Sequence, residues 1–189
     1  MNLDPQSSAN DGVVLTTPRM VLRAVGEADI SRLHQKIFGV PEVMNWVFAG
    51  TVLSSAESES FIRANFNFEA APVGLCALAD RTTDEVIGFA GLNPCRVLSD
   101  DDLEFGFVLA REVWGRGLAT EIGTAQLALG FERLGRPRML ALASAENAAS
   151  ISTLEKLGMR HHSDVMPPGR SLRRVYCIGA GDWCGVTPE

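Results

Sequence analysis

Between Leu103 and Leu134, hydrophobic residues follow two different periods, first that of a strand and then that of a helix. From Leu103 to Leu109, apolar residues alternate with Glu104, Gly106 and Val108, which is the period of a strand with two faces. After the glycine turn (residues 114–119, WGRGLA), apolar residues recur at helical spacing. The pattern predicts a strand, a turn and an amphipathic helix. The first N–H groups of such a helix are unpaired and attract an anion, most often phosphate.

The rest of the pattern predicts a mixed α/β domain with helices on both faces of its sheet. Before the glycine turn it predicts a strand over 13–25, helices over 27–38 and 54–69, and short strands over 73–80 and 86–94. An additional short helix over 41–48 is not counted in the order of elements given below. Pro18 places the first strand at an edge or marks a bend in it. After the turn it predicts a strand over 139–143, a helix over 147–157, and strands over 159–164 and 172–178. The resulting order is β-α-α-β-β-β-α-β-α-β-β.

Length and charge narrow the class of protein. The 189 residues suit a single domain, which we place at 13–189 after a polar, disordered extension over 1–12. The net charge of −6 argues against nucleic acid as a partner. No apolar run approaches the roughly 20 residues that span a bilayer, and the N-terminus lacks the pattern of a secretory signal. We therefore expect a cytoplasmic protein that does not bind membranes.

The cysteines and the acidic run 100–102 are the candidates for other chemistry. The four cysteines form no CxxC pair and no metal-ligand spacing with the histidines, so reduced structural thiols are favoured over a nucleophilic cysteine. The three consecutive aspartates suggest either a metal site or a solvated loop. The solvated loop is favoured, because adjacent carboxylates repel one another unless a cation binds. We expect no metal.

Taken together, the motifs resemble those of the GNAT N-acetyltransferase superfamily, and within it the RimJ/RimL-like branch that acetylates ribosomal-protein N-termini. The matching pieces occur in the family's order at residues 17–23 (TPRMVLR), 40–44 (VPEVM), 114–121 (WGRGLATE), 147–151 (NAASI) and 154–159 (LEKLGM). The resemblance implies the GNAT fold, a largely antiparallel mixed sheet of about six to seven strands flanked by helices.

The resemblance also implies that the ligand is acetyl-CoA. The backbone of Phe107, Val108 and Leu109 would pair with the pantetheine arm, and the pyrophosphate would lie on N–H groups of the glycine turn. Asn147 would bind the pantetheine region. In the turn and the residue after it, the expected cofactor-binding residues are Trp114, Gly115, Arg116, Gly117, Leu118, Ala119 and Thr120. Gly115 and Gly117 allow close approach and a positive φ where one is required.

Two catalytic residues are expected from the same resemblance. Glu104 is the candidate base, with an exposed strand carboxylate as the alternative. Ser150 is the candidate acid toward the leaving sulfur, although Ser150 and Asn147 could simply cap the helix. Many relatives carry a tyrosine where this chain has Leu154, so the usual acid is missing. Tyr176 is interpreted first as a core residue.

The acceptor is the part of the reaction that the sequence leaves open. Trp46, Phe48 and Phe66 lie on early helices that flank the acceptor side in relatives, and core packing is the alternative for each. The expected activity is direct acetyl transfer to a primary amine, either a peptide N-terminus or a small molecule. A non-catalytic acyl-CoA-binding module is the alternative, and a homodimer remains open.

Overall fold

Strands and helices in the computed structural model are described for residues 12–48, 50–166 and 171–185. Within these ranges the strands are β1 (Val13–Thr16), β2 (Met20–Arg23), β3 (Gly74–Asp80), β4 (Val86–Pro94), β5 (Leu103–Leu109), β6 (Arg138–Ser144), β7 (Arg160–Val165) and β8 (Arg173–Gly179). The α-helices are α1 (Glu27–Leu33), α2 (Pro41–Met44), α3 (Ser55–Asn65), α4 (Leu118–Ala128) and α5 (Ala148–Lys156). Helices α1 and α4 each continue into a π-helical turn, at His34–Phe38 and Leu129–Arg133.

The sheet contains eight strands, so the expectation of six to seven was slightly low. The predicted first strand, 13–25, is in fact the hairpin of β1 and β2, folded around Pro18. Proline has no N–H to donate to a ladder, and Thr17 closes the turn by accepting the Met20 N–H on its hydroxyl at 2.9 Å. The helix predicted to run to residue 69 ends at Asn65, because Phe66 is already extended.

The strand order is β1-β2-β3-β4-β5-β6-β8-β7, and every neighbouring pair is antiparallel except β5 and β6. Those two parallel strands share one partner pair, Glu104 with Leu140. Beyond that pair the carboxyl ends of β5 and β6 part. Because α4 follows β5 and α5 follows β6, two helices begin beside the gap, which is where ligands bind in sheets of this kind.

A partly buried ion pair holds the two strands together at the opposite end. Asp102 precedes β5, and its carboxylate accepts two hydrogen bonds from the Arg138 guanidinium at the start of β6, at 2.8 and 2.7 Å. Asp102 is buried, so a two-point contact of this type fixes the spacing of the strands. In the described part of the chain no group of His, Cys, Asp or Glu is suited to a metal ion. The acidic run is therefore a loop whose last carboxylate is buried and paired, instead of solvated as expected.

Two segments of the sequence lie at the limits of the described residues. The disordered extension, residues 1–12, lies outside the described residues apart from Gly12, and so does most of the loop at 166–170. None of the described helices has the length and apolar character required to cross a membrane.

Candidate active site

A cleft of about 540 Å³ opens where the carboxyl ends of β5 and β6 part. We call it the first cleft. One wall is the end of β5, another is the glycine turn with the start of α4, and a third is α5 from Asn147 to Lys156. Helix α2 and the residues after it cover the cleft through Val43, Trp46 and Val47. The parted strands and both helix starts thus converge on one concave surface.

Every residue predicted to bind the cofactor lies in the wall of the first cleft. From β5 these are Phe107, Val108 and Leu109; from the turn and α4 they are Trp114, Gly115, Arg116, Gly117, Leu118, Ala119 and Thr120; from α5 it is Asn147. The Trp114 ring is 44% exposed, and its indole N–H donates to the Leu109 carbonyl at 2.8 Å. This hydrogen bond holds the ring against the end of β5.

The backbone of the glycine turn explains why glycine occupies it. Gly115 has φ +73°, and Gly117, the N-cap of α4, has φ +77° and ψ 2°, which is the left-handed region that side chains disfavour. Helix α4 begins at the next residue, so its unpaired N–H groups and the positive end of its dipole face the cleft. The backbone geometry of the turn is therefore suited to an anion.

The β1–β2 hairpin braces the glycine turn, a role that the sequence did not reveal. The Glu121 carboxylate, on the first turn of α4, accepts hydrogen bonds from the Thr17 hydroxyl at 2.6 Å and from the Arg19 backbone N–H at 3.0 Å. The Arg19 guanidinium donates to the same carboxylate at 2.6 Å and to the Arg116 carbonyl at 2.8 Å. Residues of the first hairpin thus bind both the first turn of α4 and a backbone carbonyl of the glycine turn.

The electrostatics of Glu121 agree with this bracing. Partial burial acts to raise the pKa of Glu121, but the hydrogen bonds from Thr17 and Arg19 outweigh it and lower the pKa below its ordinary value. The carboxylate is therefore ionised at neutral pH and fully able to accept these bonds. Thr17, Arg19 and Glu121 all lie within the matching motifs of the sequence, yet only the fold shows that they meet.

Glu121→Gln should weaken CoA binding about fivefold, because an amide cannot replace the charge-assisted bond to Arg19 that holds the turn. Isothermal titration of the variant with CoA measures the effect. Glu132→Gln removes the same charge from an exposed position at the far end of the same helical segment and should leave affinity unchanged. Equal affinities for both variants would contradict the bracing role.

The start of α5 holds the candidate acid. Asn147 caps the helix, since its side-chain oxygen accepts the Ser150 N–H at 3.0 Å. The Ser150 hydroxyl lines the first cleft and makes no hydrogen bond to any other described residue. Leu154 and Tyr176 are both buried in the core, so neither offers a proton donor to the cleft. Ser150 thus places a hydroxyl group from the first turn of α5 in the wall of the first cleft.

A second cleft, of about 390 Å³, adjoins the first. Its wall combines the residues after α2, the end of β6 and the beginning of β8. Trp46 lines both clefts and therefore lies at the boundary between them. Glu146, at the end of β6, contributes an exposed carboxylate that has no side-chain partner among the residues described, and sequence reasoning had overlooked it.

The other two aromatic residues predicted for the acceptor side belong to a cluster of phenylalanines. Phe48 packs against Phe38, Phe61 and Phe89 and also lines the second cleft. Phe66 is buried in the same cluster and lines neither cleft.

The segment after α2 is held in an unusual backbone conformation. Phe48 has φ +50°, which is strained for an aromatic residue. Arg173, buried at the start of β8, donates to the Phe48 carbonyl at 2.8 Å and to the Trp46 carbonyl at 3.4 Å. These bonds hold the strained segment, and with it the wall between the two clefts.

Glu104 lies at the closed end of the gap, outside the described lining of either cleft. Val108 pairs with Phe89, so Glu104 shares the face of the sheet that carries the phenylalanine cluster and the early helices. Burial raises the pKa of Cys95 to about 11, and the neighbouring Glu104 carboxylate adds to this shift. A thiol that stays protonated at neutral pH is a poor nucleophile.

Comparisons with known proteins agree with this geometry. Residues 19–160 match the model of the acetyltransferase (GNAT) domain family. The uncharacterized protein YkkB of Bacillus subtilis (strain 168) is 31% identical over 163 residues, covering 86% of this chain and 93% of YkkB.

Two solved structures have a similar fold. The GNAT-family acetyltransferase from Bacillus anthracis has a TM-score of 0.74 at 20% identity, covering 88% of this chain and 98% of that one. Spermidine N-acetyltransferase from Vibrio cholerae, solved with CoA and spermine, has a TM-score of 0.67 at 18% identity, covering 86% and 96%. The family match covers most of the chain and confirms the family predicted from the motifs: the protein belongs to the GNAT acetyltransferase family and is an acyltransferase.

Proposed function

We propose that this enzyme transfers an acetyl group from acetyl-CoA directly to a primary amine held in the second cleft. The observation that carries the proposal is the pair of adjoining clefts that share Trp46. One has the anion-binding turn and the unpaired strand end suited to CoA, and the other presents a carboxylate suited to an ammonium group. Direct transfer needs donor and acceptor to meet, and adjoining clefts allow a ternary complex.

The first cleft fits the chemistry of CoA from its anionic end to its thioester. The glycine turn offers N–H groups and a helix dipole to the pyrophosphate. Beyond Glu104, β5 has no further described pair with β6, so the end of β5 can offer backbone groups to an amide-containing arm, apart from the Leu109 carbonyl that Trp114 occupies. The spermidine N-acetyltransferase of similar fold was solved with CoA, which supports the same donor for this chain.

The chemical step requires a neutral amine, a stabilised oxyanion and a proton for the leaving thiolate. Acetyl-CoA supplies the acetyl thioester. The backbone N–H of Val108 or Leu109 is the candidate oxyanion donor, since both line the first cleft near the gap. The Ser150 hydroxyl is the candidate proton donor to the thiolate. Glu104 would accept the amine's proton through water, because its side chain lies beyond the described wall of the cleft.

The acceptor remains either a peptide N-terminus or a small-molecule amine. An α-amine, with a reference pKa of about 7.7–8.0, needs less help from a base than a lysine-like amine at about 10.4. The second cleft is lined mainly by polar groups, among them Asn45, Ser144, Glu146 and Ser171. The Glu146 carboxylate, which has no partner among the residues that the structure describes, matches one ammonium group, and either kind of acceptor provides one.

Substitutions of the two carboxylates, Glu104 and Glu146, should change different kinetic parameters. Glu104→Gln should lower turnover most at low pH, where more of the amine is protonated and needs a base, with CoA affinity nearly unchanged. Glu146→Gln should instead raise KM for the amine about fivefold with a small change in kcat, because it removes an attraction for the ammonium group. pH profiles of kcat and KM for both variants measure this. An unaltered profile in Glu104→Gln would remove that residue as the base.

An acetylation assay tests the proposal itself. Purified protein is incubated with acetyl-CoA and a panel of peptide N-termini and small amines, and the release of free thiol is followed. Turnover of at least one amine class supports the enzyme. If acetyl-CoA binds but no amine turns over, the alternative of a non-catalytic acyl-CoA-binding module is favoured.

A further inference from the structure

The charges in the wall of the first cleft are one-sided. Its described residues include two cations, Arg116 and Lys156, and no carboxylate, although the chain as a whole has a net charge of −6. A cleft that excludes negative side chains from an acidic protein favours a polyanionic ligand. CoA carries a pyrophosphate and, on the adenosine ribose, a separate 3′-phosphate, so one anion site accounts for only part of its charge.

Lys156 is the cation of the cleft whose side chain has no partner within the described part of the chain. The sequence has two lysines, and the other, Lys36, pairs with Glu85 and Glu112. Lys156 is exposed and forms no hydrogen bond or ion pair with any residue in the described ranges. A lysine in the last turn of a helix can favour the helix dipole alone, but this one also lines the ligand cleft.

Arg116 differs from Lys156 because it has a carboxylate in its neighbourhood. The backbone N–H groups of Thr82 and Thr83 hold the pKa of Asp80 below its usual range, and the Arg116 guanidinium adds a smaller contribution of the same sign. The Arg116 carbonyl accepts a hydrogen bond from the Arg19 guanidinium, so the backbone of Arg116 is fixed within the glycine turn.

Helix packing places Lys156 beside the pyrophosphate site and away from the reacting end. Leu157, the next residue, packs so closely on α4 that a Cβ at Gly123 would lie 2.5 Å from its Cδ1. Gly123 is one turn past the N–H groups that form the anion site. Ser150 and Asn147 lie at the other end of α5, nine residues or roughly 14 Å from Lys156 to Asn147 along the helix. The lysine is thus at the nucleotide end of the cleft.

We propose that Lys156 binds the 3′-phosphate of CoA and makes the enzyme select CoA over 3′-dephospho-CoA. The glycine turn already satisfies the pyrophosphate with backbone groups, and the ribose that bears the 3′-phosphate also bears the pyrophosphate linkage, so the two anions lie close together. An ammonium group on a flexible stem suits a terminal phosphate that projects from the ligand. This inference rests on CoA being the ligand of the first cleft.

The test compares the affinities of the protein and its variants for CoA and 3′-dephospho-CoA, and it does not require turnover. Isothermal titration of the intact protein should show CoA binding about tenfold more tightly than 3′-dephospho-CoA, as a charge-assisted contact to phosphate provides. Lys156→Gln should abolish that ratio by weakening CoA alone, while Lys156→Arg should keep most of it. Arg96→Gln, an exposed cation outside the cleft, removes the same charge and should keep the ratio intact.

Each other outcome has a distinct meaning. Equal binding of the two ligands by the unmodified protein, or a ratio that survives in Lys156→Gln, overturns the assignment of Lys156 and leaves the CoA site standing. Equal weakening of both ligands in Lys156→Gln would place the lysine on the pyrophosphate and also overturn it. Failure of both ligands to bind the unmodified protein would overturn the CoA site itself.

Discussion

Gly117→Val should bind CoA about 100-fold more weakly than the unmodified protein. Gly117 is the N-cap of α4 at φ +77°, a conformation that a β-branched residue avoids at a cost of roughly 1–2 kcal/mol. Added volume is a minor factor, because a Cβ there would meet nothing nearer than an Arg19 nitrogen at 3.6 Å. The turn would relax toward an extended conformation and rotate its N–H groups away from the pyrophosphate. Isothermal titration with CoA measures the loss.

Gly135→Val is the matched control for this prediction. Gly135 also has a positive φ, +59°, with open space around it, and it lies outside the described wall of the first cleft. Both variants should lose similar thermal stability from backbone strain, but only Gly117→Val should lose CoA affinity. If Gly135→Val loses as much affinity, the effect of Gly117 is general destabilisation and the turn is not the anion site.

Ser150→Ala should lower kcat about 100-fold while CoA affinity stays within twofold. The Ser150 hydroxyl is the candidate donor to the leaving thiolate, and without it the thiolate must leave unprotonated. Its backbone N–H, which Asn147 caps, is unaffected by the substitution, so α5 should begin as before. Steady-state kinetics with the best amine from the panel, together with a CoA titration, give both quantities.

Ser152→Ala is the comparison on the same helix. Ser152 also lines the first cleft, but it lies farther along α5 toward the nucleotide end. It should leave kcat unchanged. An unchanged kcat in Ser150→Ala as well would assign Ser150 to the first turn of α5 alone, and the thiolate would then leave without a protein acid, as the leucine at position 154 already suggests.

Local patterns determined the donor side of the site. The alternation over 103–109, the glycines at 115 and 117 and the helical spacing after them are consecutive in the chain, so their geometry follows from local backbone preferences. The end of β5 and the start of α5 could be predicted for the same reason, whereas the family prediction came from the resemblance of the ordered motifs. The hairpin at Pro18 was missed because a bend and a turn look alike in a short apolar run.

Contacts between segments that lie far apart in the chain could not be predicted from the sequence. Thr17 and Arg19 contact Glu121, which lies about a hundred residues later in the chain. The ion pair between Asp102 and Arg138 joins β5 and β6 at one end, and the first cleft lies where the two strands part at the other end. No local period encodes such pairings. They depend on strand order, which places β5 beside β6 and the first hairpin beside the glycine turn.

The sequence alone thus indicated the GNAT family, through a resemblance carried by ordered motifs, and it predicted the glycine turn and the helix start that carries Ser150, because these two features each lie in neighbouring residues. The tertiary structure alone decided that Trp46 lines both clefts, that Glu146 lines the second, and that Lys156 lines the first with no partner among the described residues. The physical reason is that a cleft is made by the parting of strands and the packing of helices that lie far apart in the chain.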